Sequence, residues 1–323
     1  MRRAKANYYK RRFGVSLDPE TEIITTLGSK EGLANLASAI TAPGDLVLVP
    51  NPTYPIHAYG FMIAGGTLRH IPSITKGSFN PEDYLRSLSR AVMHSIPKPI
   101  ALVISFPSNP TAQLCDDYFY KELIKFAKKH CIWILSDLAY AEIYFDNNPP
   151  PSILQIDGAK EIAVEFTSMS KTFSMAGWRI GFAVGNKYLI NALTRIKSYL
   201  DYGAFTPVQV AAVEALNGPE AYIDQIRNEY RRRRDILIEV MKRAGWEIPK
   251  PPATMFAWAP LPKKYQNIGS MEFAKLLMQK AAVAVAPGVG FGEYGEGYVR
   301  ISLVENEQRI RQAAKNVKKL IST

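Results

Sequence analysis

The sequence predicts an α/β protein: a three-layer, mostly parallel sheet with helices on both faces, followed by a smaller α+β C-terminal domain. Three observations predict it. Short apolar runs alternate with segments of helical periodicity through most of the chain, the pattern of stacked strand–helix units. The 323 residues are 47% hydrophobic, ample for one large core or two smaller ones. After Arg234 the character changes, and strands interleave with Pro and Gly. We therefore divide the chain into a large domain, residues 1–243, and a small one, residues 244–323.

Taken in order, EIITTLG reads as a strand and SKEGLANLASAI as a helix. DLVLVP is a short buried strand that ends in the turn NPTYP. Gly65-Gly66 leads into the strand TLRHIP. In NPEDYLRSLSRAVMH, Asn80 caps a helix, Pro81 takes its first position and acids fill its first turn. PIALVISFPSNP is a strand with an abrupt Ser-Asn-Pro stop. CDDYFYKELIKFAKKH carries acids at its start and lysines near its end, matching a helix dipole. CIWILSDLAYAEIYF begins as a strand, and EIAVEFTSMS and RIGFAVG are two more. IRNEYRRRRDILIEVMKRAG is a long helix: Ile226, Tyr230, Ile236, Leu237, Val240 and Met241 recur at roughly helical spacing, and residues 231–234 form a basic solvated face. Beyond it, GWEIPKPPATMFAWAPL and VAVAPGVGFG hold strands, and SMEFAKLLMQKA and NEQRIRQAAKNVKKLI are amphipathic helices. The apolar stretch 281–286 stops at Pro287-Gly288 and reads as a buried strand.

Composition excludes several classes. No apolar run approaches the roughly 20 residues of a spanning helix. Cys115 and Cys131 are the only two cysteines, too few for a disulfide framework, which fits a reducing cytoplasm. The basic start MRRAKANYYKRRF is short and not serine-rich, unlike a transit peptide. A formal charge of +11 suits an enzyme whose ligands are phosphates and carboxylates better than a nucleic-acid binder, since the basic run lies on one helix face. No metal, nucleic acid or membrane partner is implied. His57, His70, His94 and His130 form no motif and read as structural or exposed; Trp178 reads as packing.

In parallel α/β sheets, ligands gather at the carboxyl ends of strands. The residues placed there are Gly28-Ser29-Lys30 at a strand-to-helix junction, Asn109 after VISFPS, Asp137 and Tyr140 after CIWILS, and Ser168, Ser170 and Lys171 after EIAVEFT. Arg179 follows eight positions after the lysine. A glycine–serine helix start and nearby hydroxyls suit a phosphate. An amine, an acid and a phosphate cradle together suggest pyridoxal 5'-phosphate, which needs a lysine for its aldehyde and an acid for its ring nitrogen. A lysine beside a cation and a ring loses its proton more readily, which suits a nucleophile and base.

This set resembles the class I/II aminotransferases, fold-type I pyridoxal phosphate enzymes, over essentially the whole chain. SMSKTFSMAGWRIGF is similar to the family's lysine signature, and FPSNPT, SDLAYAEI and VRISL to its other blocks. GSKEGLANL, VPNPTYPIHAYG and RIKSYLDYGAFTPVQVAA look closest to bacterial glutamate–pyruvate (alanine) aminotransferases, with LL-diaminopimelate and methionine aminotransferases as relatives. The resemblance implies roles. Lys171 would anchor the cofactor and move the proton, and Asp137 would keep the ring nitrogen protonated. Tyr140 and Asn109 would bond the ring oxygen, and Tyr54 would stack on the ring. Ser29, Lys30, Ser168, Ser170 and Arg179 would surround the phosphate. Arg300, with Asn109, would hold the substrate carboxylate.

It further implies a ping-pong transfer of an amino group between an L-amino acid and a 2-oxo acid, with alanine/pyruvate and glutamate/2-oxoglutarate as the pair, in a cytoplasmic homodimer. The alternatives are an aspartate, methionine or LL-diaminopimelate aminotransferase, a C–S β-lyase, and a truncated paralogue with impaired activity. The last arises because family members carry several tens of residues before the helix that RRAKANYYKRRFGV resembles. That part usually brings an N-terminal arm, a closing loop and a tyrosine donated across the dimer, and none of these is assigned in the sequence given.

Overall fold

The structure, a computed structural model, describes residues 1–75 and 77–322. In chain order its elements begin α1 (Arg2–Phe13), β1 (Ile23–Thr26), α2 (Ser29–Ile40), β2 (Leu46–Asn51), α3 (Ile56–Ile63), β3 (Thr67–Pro72), α4 (Pro81–Met93) and β4 (Pro99–Ser105). They continue α5 (Asp117–His130), β5 (Trp133–Asp137), β6 (Ala163–Ser168), the one-turn α6 (Met169–Thr172), β7 (Gly181–Gly185), α7 (Lys187–Leu200), α8 (Thr206–Asn217) and α9 (Ala221–Arg243). The last are β8 (Phe256–Pro260), α10 (Gly269–Ala281), β9 (Ala286–Pro287), β10 (Tyr298–Ser302) and α11 (Glu307–Ser322).

Seven strands form one sheet in the order β1-β7-β6-β5-β4-β2-β3. Neighbours from β3 across to β6 run parallel, while β7 is antiparallel to both β6 and β1. The mostly parallel sheet expected from the alternation is therefore present. Every residue of β2 is buried, which requires cover on both faces. Its side chains alternate between two cores, Leu48 joining Leu102 and Ile134, and Val47 and Val49 joining Val103 and Leu135. Helix starts follow the sequence signals. The Asn80 side chain accepts from the Asp83 N–H at 2.9 Å, and Asp116 accepts from the Phe119 N–H at 2.9 Å.

The C-terminal part builds a second, antiparallel sheet, β8-β10-β9. Trp246, Phe273, Val299 and Ile301 form its core, joined by Leu237 and Val240 from α9 and Val317 from α11.

Three local expectations are corrected. Residues 281–286 are not a buried strand: Ala281 ends α10, Ala282 turns the chain at φ 52, and only Ala286–Pro287 pairs, half-buried. The basic run 231–234 is not wholly solvated. Arg234 is fully buried, with Asp146 held at 2.8 and 3.1 Å and the Phe145 ring 4.4 Å away. At helical spacing it shares a face with the buried Leu237 and Met241, so it is turned inward. Trp178 is half exposed rather than packed, because it ends a single turn that lies on the surface. Among the described residues, no helix is long and apolar enough to cross a membrane.

Candidate active site

The parallel strands deliver their carboxyl ends to one edge of the sheet. β5 ends at Asp137, β6 ends at Ser168, Asn109 lies just beyond β4, and Tyr54 lies just beyond β2. Asp137 is buried. Its Oδ1 accepts the Ala139 N–H at 3.1 Å, and its Oδ2 lies 2.9 Å from His57 Nε2. His57, fully buried in α3, places Nδ1 2.6 Å from the Thr53 hydroxyl. The Tyr54 ring meets the His57 ring edge-on at 6.0 Å. Sequence reading missed His57. The available signal was Thr53 and His57 four residues apart, just after a strand end. His70 and His94 are exposed, as expected.

Lys171 sits in α6, directly after β6. The turn starts because the Ser168 side chain accepts the Ser170 N–H at 3.2 Å. Burial, then the positive charges of Arg179 and Arg300, lower the Lys171 amine from its ordinary value. Tyr140 is buried, and burial followed by the nearby Asp137 charge pushes its phenol well up, partly offset by Arg300.

Arg179 adopts φ 51 and is exposed. Its Nη1 donates to Ser170 Oγ at 3.3 Å and to the Ala176 carbonyl at 3.0 Å, and its Nη2 to the Leu27 carbonyl at 3.4 Å. Gly28 makes this approach feasible: at φ +89, a Cβ there would lie 2.4 Å from Arg179 Nη2. Gly181 plays the same part on the other side, since its Cβ would fall 2.8 Å from the Ser29 backbone nitrogen. Ser29 opens α2, so its N–H and that of Lys30 belong to the unpaired first turn of a helix, a ready anion site. The Lys30 residue itself is exposed.

Arg300 comes from the second sheet, on β10. Its Nη1 donates to Asn109 Oδ1 at 2.8 Å, and its guanidinium lies 4.1 Å from the Phe256 ring and 4.7 Å from Phe291. Its Nε is buried without a protein partner among the described residues, so a donor remains for an incoming anion. The two sheets thus bring an arginine and an asparagine 191 positions apart into contact.

The arrangement brings together Lys171, Arg179 and Ser170 at one end, Asp137 with His57 in the middle, and Asn109 with Arg300 at the other. It offers a desolvated amine, two anion-binding groups and a buried acid. A surface groove of about 790 Å³ along α9, near Asp146 and Asn228, contains none of these residues and offers no comparable convergence of donors. Among the described residues, no cluster of His, Cys, Asp and Glu could hold a metal ion.

Comparison with known proteins places these observations in a family. The profile of aminotransferase class I and II matches residues 1–317. AatC of Rhizobium meliloti, an aminotransferase by name, is 64% identical over all of this chain and 78% of its own length. The glutamate–pyruvate aminotransferase AlaC of Escherichia coli is 49% identical over 98% of this chain and 76% of its own. An LL-diaminopimelate aminotransferase of Aquifex aeolicus is 44% identical over 99% of this chain and 80% of its own. Among solved structures, apo-BacF of Bacillus subtilis superposes with a TM-score of 0.93 at 34% identity, over 99% of this chain and 83% of that one.

Proposed function

The chain belongs to the aminotransferase class I and II family, and on that premise we propose that it moves an amino group between L-alanine and 2-oxoglutarate with pyridoxal 5'-phosphate as cofactor. The half-buried Lys171 amine, flanked by the charges of Arg179 and Arg300, carries this reading. The glutamate–pyruvate name of a 49% identical relative supports the choice of substrates.

The residues fit the cofactor by their chemistry. Arg179, the Ser168 and Ser170 hydroxyls and the first N–H groups of α2 would take its phosphate. Tyr54 offers a ring face, and Tyr140 and Asn109 offer donors to the ring oxygen. The bound cofactor supplies an electron sink for the pair left when a substrate Cα–H bond breaks. Lys171 Nζ would hold the cofactor through its aldehyde and, once the substrate amine had displaced it there, would be free to take the Cα proton and return it. Its lowered proton affinity leaves a larger fraction neutral near working pH. Asp137 would hold the proton on the ring nitrogen, with His57 Nε2 2.9 Å behind its Oδ2. Arg300 grips the substrate carboxylate through its free Nε, while Asn109 fixes the guanidinium plane.

We also propose a homodimer. Tyr199, Leu200, Tyr202 and Phe205 lie between 62% and 106% exposed in one short stretch spanning the end of α7 and the start of α8, an apolar patch suited to a second copy of the chain. A second substrate, LL-diaminopimelate, is favoured by the Aquifex relative. The test is a visible spectrum with cofactor, then alanine, then 2-oxoglutarate. A band that bleaches with alanine and returns with the oxo acid supports both half-reactions. Bleaching by diaminopimelate alone moves the substrate, and a band that no amino acid bleaches sinks the transfer reading.

A further inference from the structure

Close to the Asp137–His57 pair lies a small cavity of about 10 Å³, whose wall includes Thr53, Ser73, Tyr84, Ser105, Asn109 and Gln113. That is room for roughly one water molecule. Tyr84 is 2% exposed, and its hydroxyl has no protein partner among the described residues. Its neighbours in the wall are committed elsewhere. Ser73 donates to the Pro52 carbonyl at 3.1 Å. Gln113 donates to the Thr111 carbonyl at 3.1 Å and accepts the Phe79 N–H at 3.1 Å. A buried phenol left dry here would cost about 1–3 kcal/mol.

Thr53 lines the same cavity, and its hydroxyl is the one that meets His57 Nδ1. Hydrogen-bond direction links these groups. An ionised Asp137 requires a donor at His57 Nε2. In a neutral imidazole, Nδ1 is then an acceptor, and Thr53 must donate to it. The lone pairs of Thr53 Oγ1 are left to be met by another donor, and the cavity is where one fits.

We propose that the cavity binds one ordered water, which accepts the Tyr84 O–H and donates to Thr53 Oγ1, making Tyr84 a remote positioning residue for Asp137. The donors then run one way, from Tyr84 through water, Thr53 and His57 to Asp137. This row fixes the His57 N–H on Nε2, aimed at the Asp137 carboxyl. The inference rests on reading Asp137 as the acid that faces the cofactor nitrogen.

Tyr84→Phe tests it, because a wet and a dry cavity predict opposite signs. If the water is bound, losing the phenol O–H removes a partner, lowers Tm and shifts the His57 ring resonances in ¹⁵N-histidine-labelled protein. It also lowers kcat about fivefold at unchanged KM. In a dry cavity the substitution deletes an unpaired buried hydroxyl. Tm then rises or holds and the His57 resonances stay put, which would overturn the proposal. Thr53→Val should move the same resonances with Tyr84 intact, whereas Ser73→Ala, a wall residue bonded elsewhere, should not. If Thr53→Val leaves His57 unmoved, the row of donors is wrong. Tm and the resonances are read with and without pyridoxal phosphate. A chain that shows the His57 shift but never forms a visible band would sink the enzyme reading, and with it the positioning role of Tyr84, while the bound water and its row of donors would still stand.

Discussion

Replacing Gly28 by alanine separates cofactor binding from fold stability. Gly28 sits at φ 89, ψ 159, a region open in practice only to glycine. Alanine there costs about 1–3 kcal/mol of backbone strain. The added Cβ would also stand 2.4 Å from Arg179 Nη2. Ordinary contact begins at about 3.4 Å, so the guanidinium must retreat by about 1 Å, beyond the range in which a charge-assisted hydrogen bond keeps its strength. One such bond to phosphate is worth about 1.5–3 kcal/mol, or roughly a ten- to hundredfold loss in affinity. Gly14 provides the control. It has φ 70 and nothing within 4 Å of its would-be Cβ, so alanine there brings strain alone. The assay is equilibrium titration of each cofactor-free variant with pyridoxal phosphate, beside thermal unfolding. Both variants should lose stability, and only Gly28→Ala should lose cofactor affinity. If the Gly28 variant binds the cofactor as the wild type does, Arg179 does not grip the phosphate from this position.

Three further outcomes follow from the same geometry. Lys171→Ala should abolish the covalent visible band, and in the wild type the attachment rate should level off at a pH below the ordinary lysine value; a variant that kept a covalent yellow cofactor would displace Lys171 from its role. Arg300→Ala should lower kcat/KM for every α-carboxylate substrate by about ten- to a hundredfold, with cofactor affinity little changed, because it removes one charge-assisted contact to substrate; an equal loss in cofactor affinity would contradict this. Lys5 is buried among the rings of Tyr8, Tyr9 and Phe182, and burial lowers its pKa to about 7, against the opposing pull of Glu142 and Glu165. Between about 7 and 10.5 the unfolded chain binds the extra proton, so this residue makes stability rise with pH across that window, by at most about 1.4 kcal/mol per unit. Urea unfolding of Lys5→Met should show that slope reduced; an unchanged slope would mean that Lys5 titrates as it does in water.

The buried Glu165 shows where sequence reading stops. In EIAVEFTSMS it looks like one polar residue in a strand. In the fold it accepts Tyr9 Oη at 2.9 Å, Ser152 Oγ at 2.6 Å, Ser136 Oγ at 3.2 Å and the Ile153 N–H at 3.2 Å. Those donors come from three separate parts of the chain, so no local pattern announces them. Burial nonetheless raises its pKa, against the pull of those bonds.

What the sequence determined by itself was everything set by neighbours along the chain. Apolar runs bounded by turn residues fixed most of the strands, as the run 281–286 did not, caps such as Asn80 and Asp116 fixed helix starts, and the strand ends set where Asp137, Ser168, Lys171 and Asn109 fall. These are short-range effects, since a cap or a period involves residues a few positions apart. The tertiary structure alone decided the rest. It turned Arg234 inward, joined His57 to Asp137 across 80 positions, laid Arg300 against Asn109 across 191, and closed a cavity around the Tyr84 hydroxyl. Each of these depends on which surfaces the sheet order brings face to face, and hydrogen-bond partners so distant leave no periodicity to read.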